Sequence, residues 1–178
     1  MGQSDFRQAV REISAEVTEA LSQVDASQVH RLEEALATAR AIFLTGEGRS
    51  GFIARCFAMR LMHLGLCVYL VGETITPAAR KGDLLIAISR SGETRVTVAQ
   101  AEAARALGMQ VVAVTASPQS PLMGRSDLQL LISSPSIQYG GSLFEQTALI
   151  TLDALALLLQ RRLGQTAADM EARHADRA

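Results

Sequence analysis

The chain has 178 residues, a formal net charge of −1 at pH 7, 48% hydrophobic residues and 4% aromatic residues. This length predicts one domain with a sizeable core. The near-neutral charge and the few aromatic rings argue against a nucleic-acid partner and against an anionic membrane surface.

Three features of the sequence bear on the cell compartment. The start of the chain, Met1 to Asp5, is polar and lacks the apolar run of a signal peptide. The most apolar segment, residues 148–159, is too short to span a bilayer. Cys56 and Cys67 fall in an apolar helix and an apolar strand, which favours reduced core thiols over a disulfide or a metal pair. We therefore expect a cytoplasmic protein with no membrane contact.

The predicted elements begin with two helices and continue with alternating strands and helices. Residues 5–24 carry apolar side chains every three or four positions, from Phe6 to Val24, and a second helix follows over residues 29–36. Strands are predicted at 41–45, 67–71, 84–88, 111–115 and 128–132, and further helices at 50–64, 94–107 and 143–162. The connection 72–83 has a weak pattern, and the polar tail has a short helical piece at 169–173.

Continuously apolar strands separated by helices are typical of an α/β fold with a parallel sheet covered on both faces. We predict a doubly wound, flavodoxin-like sheet of five parallel strands in the order 2-1-3-4-5. The single domain then comprises N-terminal helices (1–39), an α/β core (40–162) and a C-terminal tail (163–178). In such a sheet, ligands bind beyond the carboxyl ends of the strands, where the strand order reverses.

Two loops rich in glycine and serine follow the first and third predicted strands, at residues 46–51 and 89–94. Glycine permits a sharp turn and a close ligand, and the free N–H groups at the start of the next helix attract an anion. Hydroxyl and guanidinium groups add hydrogen bonds to a phosphate. The substrate-binding candidates are Gly48, Arg49, Ser50, Ser89, Arg90, Ser91, Gly92, Glu93 and Thr94. Glu47 and Glu93 are expected to point away from the ligand or to pair with a nearby arginine.

The first loop also fits two other interpretations. Gly46, Gly48 and Gly51 match the spacing of a dinucleotide-binding fingerprint, and Glu73 lies where an acidic ribose ligand is expected. A plain tight turn is the second alternative. The serine-rich second loop and the short chain, which leaves no room for a substrate domain, favour one phosphorylated small molecule held from two sides.

Glu145 lies in the first turn of the last long helix, after a third loop rich in serine and glycine at residues 133–142. A carboxylate there either stabilises the helix N-terminus or serves as a base that removes a proton next to a carbonyl group. His30, His63 and His174 are widely spaced and form no metal-ligand pattern, so we expect no metal and no cofactor. From the pattern alone, His174 lies in a solvated tail.

These motifs resemble the sugar isomerase (SIS) domain, and within it the 6-phospho-3-hexuloisomerases of the ribulose monophosphate pathway of formaldehyde fixation. The matching pieces are Gly46-Glu47-Gly48-Arg49-Ser50-Gly51, Ser89-Arg90-Ser91-Gly92-Glu93-Thr94, Gly141-Ser142-Leu143-Phe144-Glu145-Gln146 and Asp169-Met170-Glu171-Ala172-Arg173-His174-Ala175. The resemblance covers essentially the whole chain. The chain departs from the family at Glu47 and Arg90, where the family usually carries small residues, and at the end of the tail, which reads Ala175-Asp176-Arg177-Ala178 rather than Ala-Asn-Leu-Glu.

The resemblance implies an isomerase that interconverts D-arabino-3-hexulose 6-phosphate and fructose 6-phosphate through a cis-enediol, as in aldose–ketose isomerisation. It implies a homotetramer without a metal, with Glu145 as the catalytic base. It further implies that His174 reaches a site, in its own or a neighbouring subunit, and assists ring opening. The apolar stripe from Phe6 to Val24 is wide enough for an oligomer surface. The alternatives are another phosphosugar isomerase, such as a phosphoheptose isomerase, and a non-catalytic sugar-phosphate sensor.

Overall fold

The computed structural model describes residues 3–133 and 135–175, and its helices and strands follow the predicted order. A short 3₁₀ helix at Met123–Arg125 is the one addition to the predicted elements in this part of the chain. The bounds are α1 Gln3–Ser22, α2 Ala26–Thr38, β1 Ile42–Gly46, α3 Gly48–His63, β2 Val68–Leu70, β3 Leu84–Ile88, α4 Arg95–Ala106, β4 Gln110–Thr115, β5 Leu128–Leu131, α5 Ser142–Arg162 and α6 Ala167–Glu171.

The five strands form one parallel sheet in the order β2-β1-β3-β4-β5, which confirms the predicted topology. Every residue of the central strand β3 is buried, as expected for a strand with neighbours on both edges and cover on both faces. Gly46, the last residue of β1, pairs in register with Ile88, the last residue of β3. The two glycine- and serine-rich loops therefore start side by side at the carboxyl edge of the sheet.

The two faces of the sheet are covered unequally. On one face, α2, α3 and α5 pack over a large core that includes the fully buried Leu36, Phe57, Leu61, Phe144 and Leu152. On the other face, α4 and the 3₁₀ helix cover a smaller core around Phe43, Leu85 and Val111. The connection 72–83, which had no clear pattern, forms no regular element and covers the rest of this face through Ala79.

The prediction that both cysteines are buried in the core was wrong. Cys56 and Cys67 are free, but both are exposed, because Cys56 lies on the outer side of α3 and Cys67 precedes the edge strand β2. Helix α5 extends beyond residues 148–159 to 21 residues, which by length and composition alone is enough to cross a membrane. In the structure most of α5 is buried, as in the core helix of a soluble protein.

The junction of β1 and α3 allows a test of the packing that shapes the first loop. A Cβ atom on Gly51 would lie 2.6 Å from the carbonyl oxygen of Gly46, which is a backbone atom and cannot move aside alone. We expect Gly51→Ala to lower the free energy of unfolding by about 1–3 kcal/mol, the usual cost of overpacking.

Urea unfolding measures this loss. The matched control is Gly124→Ala, because a Cβ atom on Gly124 meets no other atom within 4 Å. The control variant should unfold within about 0.5 kcal/mol of the wild type. Equal stability of the two variants would contradict the described packing.

Candidate active site

The first loop turns the chain from β1 into α3 with its open side toward solvent. Gly48 has φ of 56°, a left-handed conformation that favours glycine, and a Cβ atom there would meet nothing within 4 Å. Ser50 is buried in the first turn of α3, whereas Glu47 and Arg49 are exposed. The backbone of this turn is therefore accessible to a ligand from one side.

The second loop is held by hydrogen bonds among its own residues. The Ser89 hydroxyl lies 3.1 Å from the Thr94 hydroxyl and accepts a bond of 3.1 Å from the Gly92 N–H, while the Ser91 hydroxyl accepts one of 3.2 Å from the Glu93 N–H. Gly92 has φ of 64°, and a Cβ atom there would lie 2.1 Å from the Ser120 hydroxyl oxygen. This position therefore requires glycine, which fixes the course of the loop.

Three helices begin at the carboxyl edge of the sheet without a side-chain cap. The N-cap residues of α3, α4 and α5 are Glu47, Thr94 and Gly141, and none accepts a bond from its helix through its side chain. By contrast, α2 and α6 are capped by the side chains of Asp25 and Thr166. The N–H groups in the first turns of α3, α4 and α5 thus have no intrahelical acceptor, and together they favour an anion.

Glu145 lies in the first turn of α5 with 8% of the residue exposed. Its carboxylate accepts a hydrogen bond from Nε of Arg49, the arginine of the first loop. A Cβ atom on Gly141 would lie 2.8 Å from Cδ of Arg90 and 3.3 Å from Oε1 of Glu145. The structure therefore brings Glu145 together with one arginine from each of the two loops.

A cavity of about 420 Å³ adjoins the first loop on the side of β2. Its lining includes Thr45, Gly48 and Phe52 but no residue of the second loop. Arg55, which also lines it, pairs with Glu73 through Nη2 at 2.8 Å. The acidic residue that fits a dinucleotide fingerprint is thus engaged with an arginine of α3.

Among the candidate residues, His174 lies apart from the others within one chain. Its ring stacks on His63, the last residue of α3, with 5.1 Å between the ring centroids. The tail is docked there, since Nη1 of Arg173 donates to the carbonyl of His63 at 2.9 Å and Met170 packs against the core. Because α3 has 16 residues, this end lies about 24 Å along the helix from the first loop.

The two acidic residues of the loops also have defined positions. Glu47 and Glu93 are exposed, and neither forms an ion pair within the described residues. The predicted pairing of these two residues with a nearby arginine is therefore not formed within the described residues, and Glu47 lines the cavity beside the first loop. No group of three His, Cys, Asp or Glu residues in the described part of the chain is arranged to hold a metal ion.

Sequence reasoning missed the contacts of the third loop. The carboxylate of Glu16, on α1, accepts hydrogen bonds from the Ile137 N–H and from the side chains of Ser136 and Gln138, all at 2.9 Å. Glu16 and this loop are more than 100 residues apart in sequence. A carboxylate on a helix with many polar residues gives no sequence signal for such a contact.

Comparison with known proteins gives the class of this site. The profile of the SIS domain matches residues 35–159. A 3-hexulose-6-phosphate isomerase of Mycobacterium gastri is 39% identical, over 90% of this chain and 85% of that protein. The enzyme of the same name from Bacillus subtilis is 36% identical, over 94% of this chain and 96% of that protein.

A solved structure agrees with these relatives. A protein from Methanococcus jannaschii, for which a 3-hexulose-6-phosphate isomerase function was inferred from its structure, superposes with a TM-score of 0.85 and 33% identity. The match covers 94% of this chain and 98% of that one. The fold and the relatives support an isomerase. The chain belongs to the SIS domain family.

The stacked histidines predict how stability depends on pH. Burial lowers the pKa of His63 below its usual value of 6.5, and the charges of His174 and Arg60 lower it further, while Glu171 opposes this. Below pH 6.5 the unfolded chain therefore binds more protons at this residue than the folded chain does. Protonation of His63 therefore favours the unfolded state. We expect no loss of stability from His63 above pH 6.5 and a falling free energy of unfolding as the pH is lowered below that value.

Urea unfolding of the wild type and of His63→Gln between pH 7.5 and 5 measures this effect. The free energy of unfolding of the variant should fall less steeply with decreasing pH than that of the wild type. Equal slopes for the two proteins would show that protonation of His63 is not resisted by the fold.

Proposed function

We propose that the protein interconverts D-arabino-3-hexulose 6-phosphate and fructose 6-phosphate. The observation that carries this proposal is the convergence of a mostly buried carboxylate, Glu145, with two loops and three uncapped helix N-termini. The carboxylate suits proton transfer beside a carbonyl group, and the loops and helix N-termini suit a phosphate. The relatives named 3-hexulose-6-phosphate isomerase support the particular sugar.

In the proposed mechanism, Glu145 removes the proton from the hydroxyl-bearing carbon next to the ketone. The electron pair of that C–H bond forms the double bond of a cis-enediol, and the former carbonyl oxygen takes up a proton. Glu145 then returns its proton to the former carbonyl carbon, while the neighbouring hydroxyl loses its proton and becomes the new carbonyl. One carboxylate thus serves both steps without net consumption of protons.

The phosphate is assigned to the two loops. It contacts N–H groups of the first turns of α3 and α4 and the hydroxyls of Ser50, Ser89, Ser91 and Thr94. Arg49 is 64% exposed along its side chain and uses Nε for Glu145, so other N–H groups of its guanidinium are left to meet the substrate. Binding energy from this remote group orients the reacting carbons toward Glu145.

The proposed oligomer accounts for His174. Within its own chain, His174 lies at the far end of α3 from Glu145, so its proposed role in ring opening requires the site of another subunit. The first half of α1 offers a surface for a second copy, because Phe6 and Val10 are 72% and 45% exposed. We propose a cytoplasmic homotetramer whose tails reach neighbouring sites.

Two other functions remain weaker candidates. Another phosphosugar isomerase, such as a phosphoheptose isomerase, would use the same loops and base on a different sugar. A non-catalytic sensor would keep the phosphate loops but has no need of a mostly buried carboxylate paired with Arg49. The presence of that pair favours an enzyme.

A coupled assay that detects fructose 6-phosphate formed from the 3-hexulose phosphate tests the reaction. We expect Glu145→Gln to lower kcat at least about a hundredfold, because general base catalysis contributes at least that factor. Affinity for inorganic phosphate should stay within about tenfold, or about 1.4 kcal/mol. If Glu145→Gln keeps more than about a tenth of the wild-type kcat, Glu145 is not the base, because loss of a general base lowers kcat at least about a hundredfold.

Complementation tests the role of His174. We expect His174→Ala and Glu145→Gln each to be nearly inactive alone. Mixed oligomers from their co-expression should regain up to about a quarter of the wild-type activity. About half of the sites receive an intact Glu145, and about half of those also receive an intact His174 from a neighbouring subunit.

The matched control is the co-expression of the Glu145→Gln variant with the Arg49→Ala variant. These two residues meet within one chain, so this mixture should regain no activity. Full activity of His174→Ala, or no recovery in its mixture with Glu145→Gln, would contradict the shared site.

A further inference from the structure

We propose that Glu16 is a positioning residue for the active site, because its carboxylate holds the loop 135–141 that leads into the first turn of α5. This inference rests on the proposed function, in which Glu145 of that turn is the base. Glu16 itself belongs to α1, whereas Glu145 belongs to α5.

Three hydrogen bonds from the loop converge on this one carboxylate. Oε1 of Glu16 accepts from the Ile137 N–H, and Oε2 accepts from the hydroxyl of Ser136 and from Nε2 of Gln138, each at 2.9 Å. These donors lower the pKa of Glu16 below its usual range, with Gln138 as the largest cause. Its partners are neutral, since Glu16 forms no ion pair within the described residues.

The contact continues from the loop to α5. The side-chain amides of Gln138 and Gln146 face each other at 3.1 Å, and Gln146 is the residue that follows Glu145. The hydroxyl of Ser142 donates to the carbonyl of Tyr139, and the Glu145 N–H donates to that of Gly141. A continuous series of hydrogen bonds therefore joins Glu16 to the turn that carries Glu145.

The loop has little else to hold it in place. No side chain of residues 135–141 is buried, and its two large apolar side chains, Ile137 and Tyr139, are 75% and 97% exposed. Apolar packing therefore contributes little to the position of the loop, which depends on its hydrogen bonds to Glu16 and to Gln146. Gly141, at the end of the loop, lies against Arg90 and Oε1 of Glu145, so movement of the loop changes the wall of the site.

The test compares Glu16→Gln with the wild type. The amide keeps one acceptor oxygen and replaces the other by an NH2 donor, so in either orientation it cannot accept all three bonds from Ser136, Ile137 and Gln138. We expect hydrogen exchange of the Ile137 amide to accelerate about tenfold or more, because local opening of the loop becomes easier. We expect kcat to fall about fivefold or more, because a misplaced base loses orientation, while affinity for inorganic phosphate changes less than about twofold.

The control is Glu12→Gln on the same helix, where the carboxylate contacts Gln8 and not the loop. It should leave Ile137 exchange and kcat at their wild-type values. Unchanged Ile137 exchange in Glu16→Gln would overturn the proposal, and so would faster exchange with an unchanged kcat. A general loss of structure would instead weaken phosphate binding and lower the unfolding midpoint, which also counts against a positioning role.

The activity of the wild type distinguishes failure of the proposed function from failure of the positioning role of Glu16. If the wild type does not convert the 3-hexulose phosphate, the isomerase assignment fails whatever the variants do. Faster exchange of Ile137 in Glu16→Gln would then establish only the contact of Glu16 with the loop, and the positioning of Glu145 for catalysis would fall with the assignment.

Discussion

The parallel pairing of β1 with β3 is the constraint on which the site depends. Gly46 and Ile88 end these strands in register, and strands in a sheet lie about 4.8 Å apart. Two loops separated by about 40 residues in sequence therefore begin next to each other. The return of the chain to form β2 on the outer side of β1 leaves a crevice at this point, as in other doubly wound sheets.

The large core on one face of the sheet fixes the third part of the site. Helix α5 packs with α3 and α2 over the strands through side chains such as Phe144, Ala148 and Leu152, all fully buried. Because Phe144 precedes Glu145, the packing of α5 places the carboxylate at the edge of the same core. The site thus combines a carboxylate, Glu145, on a rigid helix with a loop, 135–141, that depends on polar contacts.

Local sequence patterns were sufficient to predict the elements, the strand order and the two loops, because apolar runs, glycines and serines are encoded next to one another. The pairing of Arg49 with Glu145 joins residues 96 positions apart, and that of Glu16 with Gln138 joins residues 122 positions apart. Neither pairing leaves a local pattern. The exposure of Cys56 was missed because α3 carries apolar residues on its outer side too, such as Phe52 and Met59.

The electrostatics of the site explain how a carboxylate and a phosphate can share one edge of the sheet. An isolated carboxylate at the N-terminus of α5 would repel a phosphate bound at the N-termini of α3 and α4. The guanidinium of Arg49 balances the charge of Glu145. The side chain of Arg90 packs against Gly141, next to the carboxylate of Glu145. The N–H groups of the uncapped helices, together with Arg90, then favour an anion between the two loops. In the proposed mechanism, this balance lets Glu145 lie next to the reacting carbons while the helix N-termini hold the phosphate that orients them.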